Sequence, residues 1–347
     1  MSEKDTYCKP KITLKHKIKL RPTTSLRVFE AFAGYGGATF ALKKTGKPFT
    51  VVGYSETDQH AIHIYNTNHP NIKNYGDIST IDETALPDFD FFTGGFPCQS
   101  FSSAGLGLGE LDIRGTLFHS IIRIVSCKKP QLILLENVKG LLSKRHKLTF
   151  AKIISGLTDL GYKTYYNLLN TKDYGIPQNR ERVWIFATLN KNFDSYFQLE
   201  PPPFTSIPPR IKDFLDITAD PSLYLSTQQI NHLIAKHKVD LDVTEKLCLD
   251  IYNKKVKHDG ICSTLTEPHH NTIRIVEPKI IGTNGNPDQF VVRKLSETEH
   301  FRLMGFKDGE INFSGLSYTQ LCKKASNGWD INVVSLILKE IFSKYYK

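Results

Sequence analysis

The chain has 347 residues, of which 40% are hydrophobic and 11% aromatic. It can therefore bury a substantial core, as one large or two smaller domains, without disulfide help. It has no apolar run of about 18 residues, and its polar, Lys-rich N-terminus lacks the pattern of a signal peptide. The six cysteines are far apart and form no Cys/His cluster at metal spacing, which argues against a zinc site and a disulfide framework. We expect an intracellular protein with no membrane segment and no metal.

Positive charge is concentrated at the N-terminus. The net charge is +10 and the pI about 9.1, which suggests a polyanionic partner. Residues 1–21 hold seven Lys or Arg and two acids, which is half of the excess. Because apolar and basic residues alternate there, this basic arm, residues 1–25, is either an edge strand with a basic outer face or a solvated leader.

From Leu26 onward, short apolar runs alternate with helical stretches. The runs predict strands at 26–32, 50–55, 89–93, 131–135, 162–169 and 183–187, with helices at 115–125 and 148–160. This order is typical of an open α/β domain, in which helices wrap a parallel sheet.

The second half of the chain has a different pattern. Prolines at 201–203 and 208–209 interrupt the periodicity and predict a domain boundary or a stiff connection. Residues 210–292 have weak periodicity and scattered turn signals, which predicts an irregular, mostly β lobe. Ser296 and Glu299 form a capping box that predicts a helix start, and a last amphipathic helix is predicted over 331–345.

The first predicted strand runs into a turn that is rich in glycine. The turn follows Phe32 and contains Gly34, Gly36 and Gly37. Glycines there let a nucleotide-like ligand approach the backbone, and Glu56, which closes the second strand, is placed to accept hydrogen bonds from ribose hydroxyls. The spacing is not GxGxxG, which favours S-adenosylmethionine over a pyrophosphate-bearing cofactor. The alternative is that these glycines serve only strand–helix packing.

Three further polar positions are candidates for binding or catalysis. Asp77, just before Ile78, is either an acceptor for an adenine amino group or an exposed loop aspartate. Cys98 lies in a loop shaped by two glycines and Pro97, at the strand edge where α/β enzymes bind ligands, so its thiol suits a nucleophile. Glu136 ends an apolar strand, where a carboxylate can hold a proton near neutral pH and act as a general acid.

Two arginines open the last predicted strand of the α/β domain. We expect Arg180 and Arg182 to point to opposite faces, so that one reaches the site and the other pairs with an acid or a phosphate.

Taken together and in chain order, these segments resemble the motifs of the DNA (cytosine-5)-methyltransferases. The matching segments are residues 32–37, 96–99, 114–118, 136–138, 178–182 and 293–306, and the likeness covers about 26–339. It implies a Rossmann-like methyltransferase domain that depends on S-adenosylmethionine, with a smaller, irregular, mostly β domain for target recognition. The implied division is a basic arm at 1–25, a catalytic and cofactor-binding domain at 26–189, a target-recognition domain at 190–292 and a C-terminal segment at 293–347 that returns to the catalytic domain.

The resemblance also implies a role for each matched residue. Cys98 would be the nucleophile, Glu136 the acid and Arg182 a contact to the target base, and Arg180 would be a further catalytic residue. The implied cofactor-binding residues are Phe32, Gly34, Gly36, Gly37, Glu56, Asp77, Ile78, Pro97, Leu117 and Asn327. The implied DNA-binding residues are Gln99, Ser102, Arg114 and Thr264.

The implied reaction is transfer of a methyl group from S-adenosylmethionine to carbon 5 of cytosine, within a specific short sequence of double-stranded DNA. It would proceed by base flipping and a covalent bond between Cys98 and C6. The implied partners are double-stranded DNA and a cognate restriction endonuclease that acts on the same site, and the implied oligomeric state is a monomer.

Two departures keep alternatives open. The family has a Gly-Asn pair followed by small or aliphatic residues near its C-terminus, whereas this chain has Trp329 and Asp330 after Asn327. Residues 190–292 carry a net charge of −2, so phosphate contacts are expected largely outside them. The alternatives are a tRNA cytosine-5 methyltransferase, whose branch carries a Cys-Phe-Thr motif that this chain lacks, and an inactive DNA-binding relative.

Overall fold

The computed structural model describes residues 25–97, 116–200, 202–203, 207–238, 243–267, 273–278 and 290–345. The basic arm predicted at 1–25 therefore lies outside the described residues, apart from Ser25. The strands are β1 (Leu26–Ala31), β2 (Phe49–Ser55), β3 (Phe91–Gly95), β4 (Leu132–Val138), β5 (Lys163–Asn170), β6 (Gln178–Asn179), β7 (Glu181–Thr188), β8 (Leu247–Asp250), β9 (Lys255–Lys257), β10 (Cys262–Ser263), β11 (Ile273–Pro278) and β12 (Phe290–Arg293). The helices are α1 (Gly37–Lys43), α2 (Gln59–Asn68), α3 (Thr116–Lys128), α4 (Lys147–Asp159), α5 (Thr227–His237), α6 (Glu297–Arg302), α7 (Tyr318–Asn327) and α8 (Ile331–Tyr345). No helix within these ranges combines the length and apolarity that crossing a bilayer requires.

The main sheet has six strands in the order β2-β1-β3-β4-β7-β5. The predicted parallel pairing is confirmed for β1 to β4. It is wrong for β7, which runs antiparallel to both β4 and β5. A parallel crossover needs about a dozen residues or more, and the short link from β5 to β7 returns the chain antiparallel instead.

The inner strands β3, β4 and β7 bury apolar side chains on both faces, because helices cover both. In β4, Leu132 and Leu134 pack into one core cluster, and Ile133 and Leu135 into another, as alternation along a strand requires. Helices α1, α6, α7 and α8 contribute to the first cluster, and α3 and α4 to the second. Burial of each such side chain stabilises the fold by about 1.5–3 kcal/mol. The C-terminal helices thus belong to the core of the main sheet.

The second lobe is built on a four-stranded antiparallel sheet in the order β12-β11-β8-β9. Helix α5 packs on it through Leu233, alongside Leu249 and Val276. This helix falls in the stretch whose periodicity is too weak to predict it. Its start nevertheless carries a capping box of Ser226 and Gln229, which is a recognisable signal.

A buried ion cluster joins the second sheet to α6. Arg293 is fully buried and donates hydrogen bonds to the carboxylates of Glu277 at 2.6 Å and Glu299 at 2.7 and 2.8 Å. Glu299 also closes the capping box with Ser296, which confirms the predicted start of α6. Because each buried charge is paired, the cluster fixes the sheet and the helix relative to each other.

Candidate active site

The glycine turn lies at the carboxyl end of β1. Phe32, Gly34 and Gly36 have positive φ angles of 53°, 57° and 87°. A Cβ at Gly36 would lie 2.5 Å from the ring of His69, so only glycine fits there. The Gly34 N–H donates to a carboxylate oxygen of Glu56, at the end of β2, over 2.9 Å. The turn is thereby held to the neighbouring strand.

A cleft opens beside this turn, and we call it the glycine cleft. Its volume is about 360 Å³, counting the part open to solvent. Of the cofactor-binding residues implied by the sequence, the cleft is lined by Phe32, Gly34, Gly37 and Asn327. It is also lined by residues that the sequence analysis did not name as cofactor-binding, among them Glu30, Tyr35, Thr93, Gly95 and Trp329.

The other implied cofactor-binding residues do not line the glycine cleft. Those residues are Gly36, Glu56, Asp77, Ile78, Pro97 and Leu117. Asp77 accepts hydrogen bonds from the N–H and hydroxyl of Ser79, both at 2.8 Å, and Ile78 is buried in the core. The Ser55 hydroxyl donates to the Gly76 carbonyl at 2.7 Å, which holds the Asp77 loop at the end of β2. Asp77 therefore lies at the same sheet edge as the cleft but outside its lining.

The glycine cleft suits a cofactor with a cationic end. No atom lies within 4 Å of the Cβ position of Gly34, so a ligand can approach the backbone there. Glu30 is buried, and its Oε1 accepts hydrogen bonds from the N–H and hydroxyl of Thr39 at 2.6 and 3.0 Å. The Tyr65 hydroxyl faces the same carboxylate. A buried carboxylate that lines the cleft beside open backbone fits a ligand that carries a positive charge.

Glu30 also makes the stability of this region depend on pH. Burial raises the pKa of Glu30 from 4.5 to about 7. The contribution of Glu30 to the free energy of unfolding is therefore fully present below its ordinary pKa of 4.5. It is lost as the pH rises through the folded-state pKa of about 7. Glu30→Gln removes this titration and keeps an acceptor for Thr39. We expect the free energy of unfolding of the variant, relative to wild type, to rise by about 2–3 kcal/mol between pH 5 and pH 8. Urea unfolding of both proteins at pH 5 and pH 8 measures this change. A difference between variant and wild type that is the same at the two pH values would contradict the prediction.

Glu136 and Arg182 form an ion pair next to the cleft. Glu136 lies in β4 opposite Gly95 of β3, and the Arg182 Nε donates to its Oε1 at 2.9 Å. The two side chains are only 13% and 16% exposed. The amide of Asn137 donates to the Phe96 carbonyl at 3.0 Å, which holds the end of β3 against β4. A carboxylate and a guanidinium are thus fixed together in a largely dry site.

Arg180 and Arg182 line one cavity, which we call the arginine cavity. Its lining comprises Glu136, Leu169, Thr171, Arg180, Arg182, Trp184, Gly328, Trp329, Asp330 and Val333. The expectation that the two arginines point to opposite faces is wrong, because residues two positions apart in an extended chain share a face. The expected pairing with an acid holds for Arg182, through Glu136.

Arg180 holds the backbone at the end of α7. It is buried, and its Nη2 donates to the carbonyls of Ser326 at 3.1 Å and Gly328 at 2.8 Å. Burial, together with the nearby charge of Arg182, lowers the pKa of Arg180 to about 9. Arg180 therefore remains charged at neutral pH and fixes the segment between α7 and α8.

Trp329 forms the wall between the two cavities. It lines both the glycine cleft and the arginine cavity, its carbonyl accepts a hydrogen bond from the Tyr35 hydroxyl, and its indole meets Trp184 edge-on with 5.1 Å between ring centroids. A Cβ at Gly95 would lie 2.6 Å from its Nε1 and 3.0 Å from Oε2 of Glu136. Glycine at 95 therefore lets both side chains cross the end of β3.

Asp330, which together with Trp329 departs from the family pattern, has a structural role. Asp330 Oδ1 accepts hydrogen bonds from the N–H groups of Asn332 at 2.9 Å and Val333 at 3.0 Å. These groups lie in the first turn of α8, where N–H groups have no partner within the helix. Asp330 thus acts as the N-cap of α8.

The segment after β10 joins the second lobe to the site. β10 pairs in parallel with β6, so Cys262 lies opposite Gln178 and Ser263 opposite Asn179. The hydroxyl of Thr264 donates to the Asn179 carbonyl at 2.5 Å. Asn179, the partner of Thr264, lies two residues before the start of β7, the strand that carries Arg182.

Asn327 reaches the same segment from α7. Its amide nitrogen donates to the Glu267 carboxylate at 2.7 Å, while Asn327 also lines the glycine cleft. The remaining implied residues, Cys98, Gln99, Ser102 and Arg114, lie outside the described residues.

Sequence reasoning missed one prominent group. Glu30 follows the apolar residues Val28 and Phe29 in β1, and a lone acid inside a buried strand is the signal that could have found it. Within the described part of the chain, no group of three or more His, Cys, Asp or Glu side chains is placed to hold a metal ion.

The mixed α/β sheet, with the glycine turn and its cleft at the carboxyl ends of the parallel strands, is the arrangement of the methyltransferase fold. The sequence profile of the C-5 cytosine-specific DNA methylases matches residues 26–343. The chain belongs to this family.

Relatives and solved structures agree with this placement over nearly the full chain. The chain is 30% identical to the Type II methyltransferase M2.ScrFI of Lactococcus lactis subsp. cremoris, with 91% of this chain and 99% of the relative covered. It is 35% identical to the Type II methyltransferase M.NgoBI of Neisseria gonorrhoeae, with 90% and 92% covered. The crystal structure of the S. pombe Dnmt2 methyltransferase superimposes with a TM-score of 0.70 at 22% identity, covering 92% of this chain and 99% of the other. This last likeness concerns the fold.

Proposed function

We propose that this protein methylates carbon 5 of cytosine within one short sequence of double-stranded DNA, with S-adenosylmethionine as the methyl donor. The observation that supports this most directly is the Glu136–Arg182 pair in the arginine cavity, which shares the wall of Trp329 with the glycine cleft. A methyl donor in the glycine cleft, which Gly95 lines, and a cytosine beside Glu136 would be neighbours across the paired ends of β3 and β4.

The residues at the glycine cleft fit S-adenosylmethionine. Phe32, Gly34, Gly37 and Asn327 would hold it there, with Glu56 fixing the turn and Asp77 near its adenine end. When bound, this cofactor supplies an electrophilic methyl group on a sulfonium.

The protein's own residues prepare the base. Cytosine in a duplex hides its C6, so the base must be flipped out into the arginine cavity. The Cys98 thiolate would then form a bond to C6, and the electrons of the C5=C6 bond would move toward C5. Glu136 would hold a proton at N3, and Arg182 would donate to O2, which stabilises the charge that develops on the ring. After methylation, loss of the C5 proton and expulsion of the thiolate would restore the double bond.

Residues 190–292 are proposed to choose the target sequence. This span is long enough for one recognition module, so we infer a single short target. Its described part rests on the antiparallel sheet and contacts the site through β10. Since the relatives are Type II methyltransferases, we further propose a restriction endonuclease that acts on the same sequence as a functional partner.

Substitution of the proposed nucleophile, Cys98, tests this function. Cys98→Ser is expected to abolish methyl transfer while leaving cofactor binding nearly intact, because the thiolate bonds to the base and not to the sulfonium. Incorporation of labelled methyl into duplex DNA measures the first effect and calorimetry with the cofactor measures the second. Wild type should also form a covalent complex with duplex DNA that carries 5-fluorocytosine, and the variant should not.

Cys127→Ser is the matched control, since Cys127 lies in α3 and lines neither cavity. Bisulfite sequencing of DNA from cells that express wild type then gives the target sequence. Retention by Cys98→Ser of more than a few per cent of wild-type transfer would refute the nucleophile assignment. Methylation of tRNA with no methylation of duplex DNA would refute the substrate.

A further inference from the structure

A run of positive charge follows the strand that carries Glu136. Between Glu136 and Asp159 the chain has no acid and five Lys or Arg, a net charge of +5. These five, which we call the basic segment, are Lys139, Lys144, Arg145, Lys147 and Lys152. The basic segment contributes as much to the net charge of the chain as residues 1–21 do.

The basic segment begins at the rim of the arginine cavity. β4 ends at Val138, which lies opposite Arg182 in the strand register. The next residue, Lys139, forms an ion pair with Glu181 at 2.8 Å. Two short 3₁₀ turns then lead into α4. Lys139 therefore lies one residue past the strand position that pairs with Arg182, and the other four charges follow it along the chain.

The middle of the basic segment faces solvent. Lys144 and Lys147 are exposed, and neither forms an ion pair with any residue in the described ranges. Leu142 and Leu148, next to them, are 37% and 78% exposed. Exposed apolar side chains among charges of one sign are typical of a surface that a partner covers.

The charges also lie at the unfavourable end of α4. This helix begins at Lys147, has no acid in its first turn and receives no side-chain hydrogen bond from its N-cap, His146. The N-terminus of a helix carries partial positive charge, so cations there destabilise it. Local conflict of this kind is expected at functional sites, and a bound anion would resolve both the repulsion and the missing cap.

We propose that the basic segment binds the DNA phosphates that flank the flipped cytosine. The inference rests on the proposed function, because it places the duplex at the mouth of the arginine cavity. Lys144 and Lys147 would donate to phosphate oxygens, together with the uncapped N–H groups of α4. Such contacts position the duplex and carry no base information. The basic segment would thus hold the backbone while residues 190–292 read the sequence.

The test compares two double variants of the full-length protein. Lys144→Gln/Lys147→Gln removes the two exposed lysines of the basic segment. Lys339→Gln/Lys344→Gln removes two exposed lysines of α8, whose C-terminal end packs against Phe193 through Tyr345, away from both cavities. Binding of duplex DNA is measured across a salt series, with and without the target sequence.

The first variant is expected to bind both duplexes about tenfold more weakly at low salt. The slope of the logarithm of its binding constant against the logarithm of the salt concentration should be smaller in magnitude by about 2, since each lost phosphate contact removes about 0.9 from that slope. Its melting temperature should be equal to or above that of wild type, because two repelling charges leave the N-terminus of α4. The control variant should match wild type in DNA affinity and in salt slope. Wild-type affinity and slope in the first variant would overturn the inference, as would a loss confined to the target sequence. If wild type itself neither binds nor methylates duplex DNA, the proposed function has failed instead.

Discussion

Glu136→Gln is expected to lower the rate of methyl transfer at saturating substrate by about 10²-fold or more. The amide keeps the shape of the side chain and an oxygen for Arg182, but it cannot hold or release the proton at N3 of the base. The Arg182 guanidinium would also lose the charge that now pairs with it at 2.9 Å. Single-turnover measurement of labelled methyl transfer isolates this step from product release.

Glu83→Gln provides the matched control for that experiment. Glu83 also forms an ion pair with an arginine, Arg123, but it lies in the turn before β3 and lines neither cavity. The control should keep the wild-type rate. A rate for Glu136→Gln within about threefold of wild type would return Glu136 to a structural role.

Gly95→Ala is expected to reduce kcat/KM by about 10²-fold, since displacing reacting groups by about 1 Å has effects of that size. The added Cβ would lie 2.6 Å from the Trp329 indole nitrogen and 3.0 Å from a carboxylate oxygen of Glu136. Trp329 is held by Tyr35 and Trp184, so part of the displacement must fall on Glu136. Overpacking of this kind also lowers the free energy of unfolding by about 1–3 kcal/mol. Steady-state kinetics and urea unfolding measure the two effects separately.

Two further variants show whether the crowding is the cause. Gly140→Ala is the control, because its nearest neighbour would be 3.8 Å away, and it should keep full activity. Adding Trp329→Val to Gly95→Ala removes the indole and should restore part of the activity by returning space to Glu136. Full activity in Gly95→Ala alone would show that the two side chains do not share this space.

Local patterns predicted the elements of the main sheet well. The run that became the first part of β4 is buried on both faces, so its hydrophobicity is uninterrupted and easy to recognise. The glycine turn and the position of Glu136 followed from their place at strand ends. The capping box at Ser296 and the range of α8 were likewise local signals.

The remaining features depend on contacts between distant segments. The direction of β7 reflects the length of the preceding link. Helix α5 is mostly polar and buries only Leu233, so few apolar residues mark it in the sequence. Trp329 was visible as a departure, but its place between two cavities arises because α7 and α8 pack against the glycine turn about 290 residues earlier in the chain. Motif spacing alone carries no information about such contacts.

The pairing of β6 with β10 limits how this enzyme can acquire a new specificity. Recombination between relatives could exchange much of the proposed recognition module, residues 190–292, without touching the catalytic half. Cys262 to Thr264, however, are bonded directly to the strand that leads into Arg180 and Arg182, and Glu267 holds Asn327. A crossover placed between β9 and β10 would leave these bonds within one parental sequence. Crossovers after β10 would combine a foreign strand with the native arginines, and hybrids of that kind should be rare among natural recombinants.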